Sequence, residues 1–250
     1  MKDSNQFRRE DARRVRRSLR YLAPWVVAVT ALSVVFEGFY PITAKPTTIP
    51  AGSYIIDMGV SPQTVANGLK PYGMVYELVV TRRIPVLWAI NDAKVKDAVD
   101  FVFNGKSYRG GPFIISAEYA AAAAATVATW RALGVVVDGP TAAAFTAPVA
   151  ETLTSWPRVA LDSDNGNLAV PYYTNAGIPA ASYRTTLPSG LTACDDLYVM
   201  PHADPTWTTH NQLLAFNNGG GSIWGACHSV SVLENIDSPL DADTLPNLNF

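Results

Sequence analysis

Gly219-Gly220-Gly221-Ser222-Ile223-Trp224-Gly225-Ala226-Cys227-His228-Ser229-Val230-Ser231-Val232-Leu233-Glu234-Asn235 is the stretch on which the reading of this chain turns. Read as strand, sharp turn and helix, it holds a thiol and an imidazole at the carboxyl end of a strand. Small residues before Cys227 suit a tight, strained turn, and a helix N-terminus beyond it stabilises a thiolate. The backbone N–H of His228 is then a natural oxyanion donor. All three histidines, His202, His210 and His228, fall with Cys227 inside 27 residues. Histidine titrates near neutral pH and a thiolate is a strong nucleophile, so the window reads as a site of chemistry.

Upstream of this stretch, short apolar runs alternate with helical patterns. Tyr54–Asp57, Val86–Ile90, Val135–Asp138, Val159–Asp162, Leu197–Met200 and Ser222–Gly225 read as strands. Helical patterns cover a stretch broken at Pro71 and resumed from Tyr72 to about Arg83, then Ala117–Leu133, Ala142–Leu153, Leu168–Ala176 and Thr208–Asn217. Ser116 is placed to cap the second of these and Gly134 to stop it. Asn104-Gly105 lies between β-prone flanks and predicts a hairpin within 99–115. The alternation predicts an α/β domain: a flavodoxin-like three-layer sandwich with a mostly parallel sheet, plus a small β-hairpin excursion.

Each expected strand ends in a polar group: Asp57, Asn91, Asp138, Asp162, His202 just past Pro201, and Cys227. Ligands of open α/β sheets bind beyond the carboxyl ends of the strands, so these groups are expected to share a rim. Helix capping accounts for about half of them without any function. Cys194 precedes its strand and Cys227 follows its own, which separates them by about 15 Å at the usual strand rise, beyond disulfide reach. Cys227 is therefore expected as a free thiol.

Net charge is unevenly distributed. Residues 1–20 carry eight Lys/Arg against three Asp/Glu, and the remainder eleven against eighteen. An acidic body argues against nucleic-acid binding. The basic run Arg13–Arg20 leads into Tyr21–Phe36, sixteen residues without a charge, and then Pro41-Ile42-Thr43-Ala44. That is the order of a secretory signal peptide or signal anchor. The expected division is an N-terminal export segment (1–44), a Pro/Thr-rich linker (45–53) and an α/β domain (54–250), the last expected as a domain cut short at its C-terminal end. The body is expected outside the cytoplasm, with membrane contact only through the N-terminal segment.

The strand–turn–helix at 219–236 resembles the elbow of the class I glutamine amidotransferase-like superfamily, in particular its DJ-1/PfpI branch. There the elbow cysteine is followed directly by histidine, as in Ala226-Cys227-His228, and Gly219-Gly220-Gly221 is similar to the glycine-rich approach to the elbow strand. The resemblance implies an α/β domain with Cys227 as nucleophile. The departures are specific. The 22 residues after His228 contain no histidine for a downstream His-x-Glu pair, and Ser229 replaces the final elbow glycine. The glutamate that approaches the cysteine in this branch has only a positional counterpart, Asp57.

The leading reading is a cysteine-dependent hydrolase or amidase acting on a small molecule or peptide. Cys227 attacks a carbonyl, His228 or His202 serves as base, and Asp204 or Asp57 orients it. A metal site built from His202, Asp204, His210 and Cys227 is an alternative, although its spacing matches no strong zinc motif. A second alternative is an exported binding module that uses Trp207, Trp224 and Tyr172-Tyr173 as a carbohydrate or peptide groove. Asp162-Ser163-Asp164-Asn165-Gly166-Asn167 begins like a calcium loop but lacks the later glutamate, so it reads as an acidic turn. With no P-loop, dinucleotide fingerprint or serine-centred elbow, no cofactor is expected.

Overall fold

The computed structural model of the chain describes residues 43–61, 63, 65–202, 207–227 and 229. The chain divides between Thr43 and Ala44 into two units, so the expected export segment lies almost wholly outside the described residues. Among the described residues, no helix is long and apolar enough to cross a membrane.

From Lys45 to Leu153 the chain builds an antiparallel sheet with one cover on each face. The elements run β1 (Lys45–Ile49), β2 (Tyr54–Ile56), α1 (Lys70–Tyr76, continuing as a wider turn over Glu77–Thr81), β3 (Val86–Ala89), β4 (Val99–Phe103), β5 (Lys106–Arg109), β6 (Phe113–Ile115), α2 (Ala120–Ala132), β7 (Val137–Asp138) and β8 (Phe145–Leu153). The six-stranded order is β1-β8-β3-β6-β2-β7, and every adjacent pair is antiparallel. Alternation along the strands divides two cores. Ile56, Phe113, Ile115, Val86 and Val137 pack with Met74, Leu78, Val127 and Trp130 of the helical layer. Ile49, Ile55, Ala89, Ile114, Phe145 and Ala147 pack with Phe101 and Tyr108 of the β4–β5 hairpin. Asn104 and Gly105 both have positive φ, 47° and 74°, as a two-residue turn of right-handed strand twist requires.

The second sheet follows with β9 (Val159–Asp162), α3 (Val170–Ala176), β10 (Tyr183–Thr186), β11 (Leu197–Met200), α4 (Trp207–Asn218) and β12 (Ser222–Gly225). Its order is β10-β9-β11-β12 and all three pairings are parallel. α4 covers one face through Leu213 and Phe216 on Ala160, Tyr198 and Met200. On the other face Val159, Leu161 and Val199 pack with Ala169, Val170 and Tyr173.

The fold is therefore not a flavodoxin-like sandwich with one mostly parallel sheet. Parallel pairing is confined to the four strands after Val159, and the larger sheet is antiparallel. The physical reason lies in what an unbroken apolar run reports. Such a run marks a strand buried on both faces, which is common in parallel sheets but not unique to them. Here the second cover is a hairpin rather than a second helical layer. Two further expectations change. The Lys45–Pro50 segment, read as linker, supplies β1 and pairs with β8 from Lys45↔Val149 to Ile49↔Phe145. The alanine-rich 142–153 segment, read as helix, contributes β8, where Phe145 and Ala147 point inward and Thr146 outward.

The two sheets are joined where α1 meets α3. Gly73 of α1 lies so close to the end of α3 that an added Cβ would fall 1.7 Å from the Ala176 carbonyl oxygen and 2.6 Å from the Trp130 ring. Gly73→Ala is therefore expected to destabilise the protein by about 1–3 kcal/mol or more, as overpacking of a tight contact does. Thermal unfolding of the variant checks this, and an unchanged Tm would contradict so close a seam.

Candidate active site

The carboxyl ends of the parallel strands form one rim, and the strand order changes direction there between β9 and β11. That is the place where an open parallel sheet leaves a crevice beyond its strands. Asp162 ends β9, His202 lies two residues past β11, and Cys227 lies two residues past β12. Met200 pairs with Gly225, so His202 and Cys227 stand at equivalent steps beyond neighbouring strands. Leu161 pairs with Val199, which puts Asp162 level with Met200 on the far side of β11.

Cys227 is exposed and unbridged, and its backbone φ is 53°. A non-glycine residue in the left-handed region costs on the order of 1 kcal/mol and persists only where its surroundings impose it. Here the turn is fixed from both sides of the cysteine. The N–H of Ser229 donates to the Ala226 carbonyl at 3.1 Å, and its hydroxyl donates to the same oxygen at 2.5 Å. Ser229 is fully buried, so the turn is anchored in the protein while the thiol faces out. His202 is half-buried. His228 and Asp204 lie outside the described residues, and His210 is placed only as a backbone position on α4.

Asp162 is buried and both of its oxygens are engaged. Oδ1 accepts the Tyr198 hydroxyl at 2.7 Å and Oδ2 accepts the Asn165 N–H at 3.2 Å. Burial, and then the bond to Asp162, push the Tyr198 phenol far above its ordinary value, so it acts as a neutral donor. This pair stiffens the floor beneath the rim. Tyr198 gave no signal in the sequence because it sits inside the apolar run Leu197–Met200.

Asp57, Asn91 and Asp138 do not join this rim; they belong to the antiparallel sheet and its loops. Asp57 is buried with its Oδ2 2.8 Å from Lys106 Nζ, and Asp138 Oδ2 lies 2.5 Å from the same nitrogen. Burial opposes the Lys106 charge, but the hydrogen-bonded Asp138 and the carboxylate of Asp57 beside it outweigh that and raise the ammonium above its ordinary value. Lys106 and Tyr108 were missed in the sequence, because single residues of a hairpin carry no spacing signal. Among the described residues, no three His, Cys, Asp or Glu side chains gather as a metal site would need.

The opposite edge of the parallel sheet is held by ion pairs. Arg184 donates to both oxygens of Asp195 at 2.7 and 2.6 Å, and Arg158 grips Asp196 at 3.1 and 2.9 Å. Cys194 is exposed on this edge, across the sheet from Cys227, and both cysteines are free. A cleft of about 380 Å³ lies here, lined by Leu191, Asp195, Phe216 and Gly219–Gly221 among others. It sits at the amino ends of the strands, away from Cys227, and its charged groups already serve the ion pairs. Comparisons with protein-family models, curated proteins and solved structures give no match, so the site is read from this chain's own geometry.

The Arg184 hydrogen bonds hold the Asp195 carboxyl down at about 2. A lowered folded value stabilises above the unfolded carboxylate value of about 3.9 and is lost as pH falls through the folded one. The stability gap between the wild type and Asp195→Asn should therefore be full above about pH 5 and close toward about pH 2. Urea unfolding at stepped pH measures it, and a gap independent of pH would contradict the assignment.

Proposed function

We propose that the chain is a cysteine-dependent acyl-transfer enzyme, a hydrolase or amidase, with Cys227 as nucleophile and His202 as its base. The observation that carries this reading is the left-handed, exposed Cys227 at the carboxyl end of β12, one strand away from His202. A strained turn presents a side chain beyond the strand ends and leaves room for a carbonyl to approach. In the reaction, the imidazole takes the thiol proton, the thiolate attacks the substrate carbonyl, and the same imidazole returns the proton to the leaving group. Asp57 has no part in it, because its carboxyl is engaged by Lys106 in the other sheet. The superfamily resemblance is retained only for the elbow and not for the surrounding sandwich.

One observation favours a binding reading beside it. Tyr172 and Trp224 are 55% and 42% exposed and meet edge to face, 6.2 Å between centroids. Trp224 lies three residues before Cys227, so the pair borders the same end of β12 and suits a sugar or peptide face.

The two exposed cysteines provide an internal comparison. Cys227 is expected to react with iodoacetamide at least about tenfold faster than Cys194. Hydrolysis of a panel of activated esters and amides should vanish in Cys227→Ser and fall about a hundredfold or more in His202→Ala. Equal labelling of the two thiols, with no turnover of any panel member, would sink the enzyme reading. Retained binding of a panel member by Cys227→Ser that depends on Trp224 would then favour the binding module.

A further inference from the structure

Four side chains meet on the hairpin face of the antiparallel sheet, and the thiol site uses none of them. Ile55 pairs with Asp138, which puts Asp57 and Asp138 on the same face of neighbouring strands. Lys106 opens β5 directly after the Asn104-Gly105 turn and descends onto both acids. Its Nζ lies 2.8 Å from Asp57 Oδ2 and 2.5 Å from Asp138 Oδ2. The Asp57 side chain is 1% exposed. Its Oδ1 accepts the Gly59 N–H, while its Oδ2 has no partner of hydrogen-bonding geometry despite the nearby amine. Asp138 Oδ2 also accepts the Tyr108 hydroxyl at 3.0 Å, and the Tyr108 ring lies 5.1 Å from Lys106 Nζ. Beside them Phe101 stacks on Tyr108 and on Phe145.

An amine held against a buried carboxyl, with a second carboxylate in reach of the same nitrogen, is the arrangement that condensation to an amide needs. In water the reaction fails because both charged partners are solvated and rarely meet. A fixed geometry replaces that encounter with an effective concentration of about 10⁵ M or more. Burial also disfavours the separated charges relative to a neutral product. We propose that Lys106 and Asp57 form an intramolecular isopeptide bond, with Asp138 as the proton carrier. The ammonium passes one proton to Asp57 Oδ2, leaving a neutral amine, and gives up a second to Asp138 only as its nitrogen bonds to Asp57 Cγ. The amine nitrogen attacks Asp57 Cγ, and the Cγ–Oδ2 bond breaks. That oxygen leaves as water after taking the second proton back from Asp138. One ammonium and one carboxylate become one amide and one water, with no oxidant or reductant, and Asp138 ends as it began. Lys106 and Asp138 are each more than one-third exposed, which gives the water a way out. The bond ties the hairpin covalently to β2 and constrains the unfolded chain as a disulfide would. Neither cysteine of the chain supplies such a cross-link.

The test is a tryptic peptide map of the purified full-length chain by mass spectrometry. Trypsin should fail to cut after Lys106, and the peptides holding Asp57 and Lys106 should appear as one branched species, one water lighter than their sum. Lys106→Arg and Asp57→Ala should give linear peptides of full mass. Asp138→Ala should give linear peptides while keeping the far-ultraviolet circular dichroism of the wild type. Cleavage after Lys106 in the folded wild type overturns the proposal, whatever the variants do. A water loss that persists in Lys106→Arg overturns it too, because it would mark an imide at Asp57 instead.

Discussion

A sheet with large apolar side chains on both faces needs two covers, and the first two-thirds of this structure follows from that requirement. Ile55 and Ile56 point to opposite cores, as do Ile114 and Ile115, and all four are fully buried. Each is worth about 1.5–3 kcal/mol of burial, provided its cover stays in place. The helices of one cover bring their own backbone hydrogen bonds. The other cover is a two-stranded hairpin, which alone is marginal in water. It is fastened at both ends by buried carboxylates. At its base Asp100 accepts the amides of Asn91 and Gly111 at 2.9 Å each and pairs with Lys94 at 2.7 Å. At its tip Lys106 sits between Asp57 and Asp138. Asp57 and Asp138 were candidates for a shared catalytic rim, and in the structure they sit instead against the hairpin that covers a core.

That division leaves the second sheet free to carry chemistry. Its strands are short and parallel, its helices cover both faces, and its carboxyl rim collects Asp162, His202 and Cys227 from three neighbouring strands. Among the described residues of this rim, positive φ at a non-glycine position falls on Cys227. Cys227 takes the left-handed backbone that a glycine would take more readily, and the buried Ser229 holds the turn through the Ala226 carbonyl.

Local features were legible in the sequence, and pairing direction was not. Asn104-Gly105 marks its turn because both residues accept positive φ, and Gly134 ends α2 for the same reason, with φ of 95°. The run Ser222–Gly225 is a strand and Cys227 follows it as a free thiol. Whether Val86–Ala89 lies parallel or antiparallel to its neighbour depends on β6, which arrives from another part of the chain and separates it from β2. β8 was hidden because Ala142-Ala143-Ala144 favours helix, while pairing with β1 and β3 overrides that propensity. The alternation of Phe145, Ala147 and Val149, with Pro148 between, was the signal that pointed to a strand. Lys106 was unreadable for a different reason: its partners lie 49 and 32 residues away, on strands whose adjacency only the fold creates.

His202 and Cys227 each lie two residues past the paired ends of β11 and β12, and the proposed chemistry depends on that placement. Adjacent strands lie about 5 Å apart, within the Cα separation a disulfide spans. A double variant, His202→Cys with Cys194→Ser, tests this directly under mild oxidation, with free thiols counted by alkylation and mass. The expected product is a monomer with a single intramolecular bridge to Cys227 and no free thiol, as adjacency of the two positions requires. Two alkylatable thiols, or bridging only between molecules, would contradict it.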